Sequence, residues 1–126
     1  MRTLLDARER AYALARAAIK RRATNVVILD VRKLTPICDY FVLCTGRSAV
    51  HVGAVADEMV EELLEQGVRP GHVEGRREGR WVLLDYLSVV AHVFTQEARE
   101  YYALERLWAD APREEVTDGG PQQLGE

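Results

Sequence analysis

The sequence predicts an α/β fold, a mixed β-sheet of about five strands flanked by helices. Three observations carry this expectation. Runs rich in β-branched and aromatic residues occur at Asn25–Val31, Ile37–Thr45, Trp81–Leu87 and Val89–Phe94, the composition of strands. Between the second and third runs, Val52, Val55, Ala56, Met59 and Leu63 recur at helical spacing. The Ile37–Thr45 run is apolar on both faces, with Phe41 and Leu43 on one and Tyr40, Val42 and Cys44 on the other. A strand of that kind is expected to be covered on both sides, as at the centre of an α/β sheet.

At 126 residues, the chain has the length of one domain and can bury a core without metals or disulfides. Hydrophobic residues make up 48% and charged residues 29%, the balance of a soluble globular protein. The net charge of −3 speaks against a surface that is basic throughout and favours a positively charged protein partner. The first residues contain no continuous apolar run, and no stretch is long enough to span a bilayer, so a cytoplasmic protein without membrane contact is expected. Cys38 and Cys44 fall in one predicted strand, roughly 20 Å apart at about 3.3 Å per residue, which is beyond disulfide reach.

In order, the chain opens with a helix. Thr3 is the expected cap, Asp6 lies in the first turn, and Lys20, Arg21 and Arg22 close it, matching the helix dipole. Leu5, Tyr12, Ala15 and Ile19 form its thin apolar stripe. Leu34-Thr35-Pro36 separates the first two strands. Gly46-Arg47-Ser48 then leads into a second helix, capped by Ser48 and ended by Gly67. Its outer face is acidic, with Asp57, Glu58, Glu61, Glu62 and Glu65. Val73–Gly75 reads as a short edge strand and Arg76–Arg80 as a charged turn. Two strands come next, joined near Leu87-Ser88, and Thr95 caps a helix expected to reach about Tyr102. Leu104, Leu107 and Trp108 either continue it or form a second short helix. Residues 1–109 thus form the domain. Residues 110–126, with two prolines, three glycines and no aromatic residue, are expected to be a disordered tail.

Catalytic signals are few. His51, His72 and His92 have no metal-ligand spacing to one another or to a cysteine. There is no phosphate-binding loop, dinucleotide fingerprint or nucleophile elbow. With a turn at 87–88, Asp85 and His92 share a sheet face as diagonal neighbours about 7 Å apart, more often a structural pair than a general base. The strand–Gly-Arg-Ser–helix passage could hold an anion, although simple capping accounts for it. It also resembles the start of a nucleotidyltransferase core. Such enzymes hold Mg²⁺ on paired carboxylates, whereas this chain offers a lone Asp39 and a lone Asp85. No catalytic residue, metal or cofactor is expected.

Several segments occur in the order of one family: Asp39–Gly46 (DYFVLCTG), Ser48–Val52 (SAVHV), Glu74-Gly75, Trp81–Tyr86 (WVLLDY), His92–Phe94 (HVF), Arg99–Tyr102 (REYY) and Leu104–Trp108 (LERLW). In these segments the chain resembles the ribosomal silencing factor S, or Iojap-like, family. The resemblance implies an α/β fold of nucleotidyltransferase-like topology without the catalytic site. It also implies a non-enzymatic repressor of translation that binds the large ribosomal subunit through ribosomal protein number fourteen. Docked there, it would block joining of the small subunit when nutrients are limiting, and it would be a homodimer when free. Asp39, Tyr40, His51, Trp81, Asp85, Tyr86 and Arg99 are the expected contact residues, as polar or amphipathic side chains within these segments. Tyr40 and Tyr86 are read as interface; Trp81 serves either interface or core. One departure stands out: Leu87-Ser88 replaces the family's Gly-Asp, so the turn is expected to differ. Two other readings stay open. One is nucleotidyl transfer using Ser48 and Asp85; the other is direct rRNA binding by Lys20, Arg21, Arg22, Arg76, Arg77 and Arg80.

Overall fold

The computed structural model describes residues 5–117 and the backbone of 120–121. Helix α1 spans Ala7–Lys20, strand β1 Thr24–Asp30, β2 Tyr40–Gly46, helix α2 Ala49–Glu65, and strands β3 His72–Glu74, β4 Trp81–Asp85 and β5 Val89–Thr95. Helices α3 (Gln96–Tyr102) and α4 (Leu104–Leu107) come after them, then β6 (Arg113–Thr117) and the two-residue β7 (Gly120–Pro121). The sheet order is β3-β4-β5-β2-β1-β6-β7, with β2 and β5 parallel and the other pairs antiparallel.

Local chemistry sets the helix ends. Asp6, not Thr3, caps α1. Its carboxylate accepts from the Glu9 N–H at 2.8 Å while Glu9 accepts from the Asp6 N–H at 3.0 Å, a reciprocal capping box. Thr3 lies outside the described residues. Ser48 accepts from the His51 N–H and caps α2, Gly67 ends it at φ +81°, and Thr95 caps α3 through the Ala98 N–H.

The two sheet faces are covered unequally. Helices α1 and α2 lie on one face, over Val42, Cys44, Val82, Leu84, Ala91 and Val93. Alanines 11, 15 and 18 on α1 let the helix approach closely. The opposite face carries Val27, Leu29, Leu43 and Phe94, covered by the Ala98 side of α3 and by Leu104 and Trp108. That cover is short, and Phe41, Trp81, Leu83 and Val90 remain half-exposed. The part of the Ile37–Thr45 run that forms β2 is covered on both sides as expected, buried at every position except Phe41; the thin cover lies mainly over β4 and β5.

The disordered tail expected from residue 110 gives way, in part, to a strand. Arg113–Thr117 pairs antiparallel with β1, with Val26 opposite Val116. Ala111 and Val116 are buried, and Tyr12 of α1 donates a hydrogen bond to Glu114. Composition misled here because only one apolar side chain in the strand is needed when β1 offers an open edge with unpaired backbone groups. Residues 118–119 and 122–126 lie outside the described residues. Cys38 precedes β2 instead of lying in it, and both cysteines are buried thiols. Deleting residues 113–126 should cost about 2 kcal/mol or more, the worth of a buried valine plus its ladder, read as a lower urea midpoint. An unchanged midpoint would show the strand to be dispensable.

Candidate interaction surface

The expected contact residues scatter into different roles. Tyr40 and Tyr86 are core residues, 4% and 1% exposed, which corrects the interface reading. They point to the α1–α2 face, because alternate strand positions face opposite sides and theirs is the well-covered one. The Tyr86 hydroxyl has no hydrogen-bond partner among the described residues, and burial pushes its pKa up to about 12.

Arg99 is also buried. Its Nη1 donates to the Asn25 carbonyl at 2.7 Å and to Thr45 Oγ1 at 2.9 Å, and its Nε donates to Glu105 at 2.7 Å. Glu105 accepts from Arg113 as well, and its hydrogen bond from Arg99 pulls its carboxyl pKa down. Arg99 therefore ties α3 and α4 to β1, β2 and β6 and is not offered to a partner.

His51 clasps two turns together. Its Nδ1 accepts from the Arg47 N–H at 2.9 Å, and its Nε2 donates to the Arg21 carbonyl at 2.7 Å. Asp85 does not pair with His92. The register Leu83↔His92 and Asp85↔Val90 is the expected one, but the Asp85 carboxylate accepts from the Leu87 N–H at 2.8 Å. This hydrogen bond braces the turn, where Leu87 stands at φ +70° and is 75% exposed. The turn thus keeps the positive φ that glycine would supply, with a leucine in its place. Asp39 is half-exposed beside it, its N–H donating to the Ser88 carbonyl at 2.7 Å.

Trp81 and His92 belong to the half-covered face. Trp81 Nε1 donates to His92 Nδ1 at 3.0 Å, which places the His92 proton on Nε2, an atom without a partner among the described residues. Rings pack around this pair: Trp81 lies 5.1 Å from Phe94 and 4.6 Å from Tyr102, and Phe41 meets His92 edge-on at 5.2 Å and Trp108 at 5.3 Å. With Leu83 and Val90 these rings form one aromatic and aliphatic surface, edged by Asp85 and the exposed Leu87. Sequence reading passed over Phe41, Leu83, Val90 and Trp108. Their apolar character was visible, but nothing in it told a covered face from an open one. Among the described residues no group of three His, Cys, Asp or Glu side chains could hold a metal ion, and no helix is long and apolar enough to cross a membrane.

Two predictions test these placements. Burial holds the His92 ring neutral, with its pKa lowered from 6.5 to about 4. The stability this neutrality supports is complete above about pH 6.5 and is lost as pH falls toward 4, a span worth roughly 3 kcal/mol. Urea unfolding should therefore weaken more steeply between pH 7 and pH 4.5 in the wild type than in His92→Gln; equal slopes would refute it. For Tyr86, the alanine variant should lose about 3–5 kcal/mol, whereas Tyr86→Phe should lose none, since its hydroxyl makes no bond among the described residues. A stable Tyr86→Ala protein would return Tyr86 to the surface.

The sequence model of the family described as "Ribosomal silencing factor during starvation" matches residues 5–125. The chain is 40% identical to the ribosomal silencing factor RsfS of Bacillus subtilis over 105 residues, 83% of this chain and 89% of that one. It is 42% identical to the RsfS of Halalkalibacterium halodurans over 96 residues, 76% of this chain and 82% of that one. A crystal structure from Chromobacterium violaceum superposes with a TM-score of 0.81 at 32% identity, covering 83% of this chain and 88% of that one. With its mixed sheet and these relatives over most of its length, the chain belongs to the ribosomal silencing factor family.

Proposed function

We propose that this protein represses translation by occupying space, with no chemical step. It docks on the large ribosomal subunit through ribosomal protein number fourteen and stands where the small subunit would join. The half-covered sheet face is the docking surface. This face carries the reading because it exposes large rings and aliphatic side chains on a rigid sheet, the makeup of an interface core. Its acidic edge at Asp39 and Asp85 and the net charge of −3 suit a basic ribosomal protein. Asp85 is spent on bracing a turn and His92 accepts from a tryptophan, so neither is arranged as an acid–base pair. The protein acts in the cytoplasm, where subunits meet.

Leu83 and Val90 are the residues to change, since they are half-exposed on this face and make no polar contact. Leu83→Lys and Val90→Lys should stay folded and lose at least tenfold in affinity for large subunits, about 1.4 kcal/mol, by sedimentation with separated subunits. Added before the two subunits are mixed, the wild-type protein should lower the fraction that joins, and the variants should not. A wild-type protein that pellets with neither large subunits nor isolated protein fourteen would end this reading.

A further inference from the structure

We propose that one end of the sheet, beside the start of β4, grips the phosphate backbone of RNA. Three turns meet there. The pairs Thr24↔Thr45, Gly46↔Thr95 and Trp81↔Phe94 bring the starts of β1 and β4 to the same sheet end as the ends of β2 and β5. Arg22, Arg47 and Arg80 occupy the adjoining turn positions, and Arg77 lies in the same loop as Arg80.

The end is pre-formed. The His51 ring joins the first two turns through the Arg47 N–H and the Arg21 carbonyl. The β3–β4 loop presses on the start of α2: a Cβ at Gly79 would come within 2.8 Å of the Ala49 carbonyl oxygen. Arg76 lies across Gly53 and is held by both oxygens of Asp57 at 3.0 and 2.8 Å. Arg22 stands at φ +68° just past α1, where glycine is the ordinary residue.

The cations here divide into two groups. Lys20 and Arg21 pair with Glu58 and Glu62, and Arg76 with Asp57. Arg22, Arg47, Arg77 and Arg80 are exposed and make no ion pair among the described residues. Counting Glu78 and Glu97 in the same turns, seven cations meet five carboxylates, so this end carries +2 in a chain of −3. The first turn of α2 has no acidic residue, and its dipole adds to the positive field. Four unpaired arginines at neighbouring turn positions suit a line of phosphates, which guanidinium groups bind bidentately. The rRNA residues expected from sequence are thereby revised: Lys20, Arg21 and Arg76 serve the fold, and Arg47 joins the contact set. Locating this RNA on the large subunit rests on the docking reading above, but the grip itself does not.

The test uses fluorescence anisotropy of the full chain with a labelled 16-base-pair RNA hairpin. Wild-type affinity should fall with salt at a log–log slope of roughly −3.6, about −0.9 for each of the four arginines. Arg47→Glu/Arg77→Glu/Arg80→Glu should bind at least tenfold more weakly, with the slope reduced by about 3. Lys33→Glu/Arg69→Glu/Arg106→Glu makes the same change in net charge on exposed residues elsewhere and should lose less than threefold. Melting curves confirm that each variant is folded, and the glutamine version of the first triple should show the same loss in smaller degree. Equal losses in both triples would reduce the effect to net charge and overturn the grip. Binding of poly-glutamate but not RNA would give the rim to an acidic protein and overturn it too. Binding to isolated protein fourteen should be unchanged in the first triple, so a failure of docking is read separately.

Discussion

The open face owes its extent to the buried guanidinium of Arg99. A charge at 8% exposure is tolerated only when it is paired and hydrogen-bonded. Glu105 supplies the pair, six residues on, and it can return to Arg99 because Ala103 turns the chain in the left-handed region at φ +47°. That joint ends α3 after seven residues and lays the four-residue α4 against the sheet corner. Glu105 also binds Arg113, which aligns β6 on β1. One buried charge thus fixes how far the cover extends, and everything beyond it stays accessible.

The consequence is a sheet with two unlike faces. One is sealed by two long helices and supplies the rigid floor. The other keeps Phe41 and Trp81 half in water, each packed on the buried His92 ring. Exposed apolar surface is costly to keep in an isolated soluble domain, so its persistence on a rigid sheet fits a surface made for contact. The exposed Leu87 obeys the same logic. A leucine held at positive φ carries strain of about 1–2 kcal/mol, which the Asp85 brace offsets in part.

Charge has a separate geography. The acidic outer side of α2 neutralises Lys20, Arg21 and Arg76 internally, and Arg22, Arg47, Arg77 and Arg80 are left unpaired at the sheet end among the described residues. Apolar rings and unpaired cations are therefore concentrated on two neighbouring parts of the surface, which adjoin at Arg80 and Trp81.

Residues close together in the chain set the elements and much of their pairing. The β-branched runs, the Ser48 and Thr95 caps, the Gly67 stop and the Leu83↔His92 register come from local sterics and the two-residue period, which act within a few neighbours. The ordered motifs likewise indicated the family. Three outcomes belong to the assembled fold alone: which apolar face is left open, that Tyr40, Tyr86 and Arg99 are internal, and that Arg113–Thr117 completes the sheet. Those outcomes depend on residues far apart in the chain competing for the same surface. Burial and the pairing of charges are properties of the assembled layers, and no run of adjacent residues encodes them.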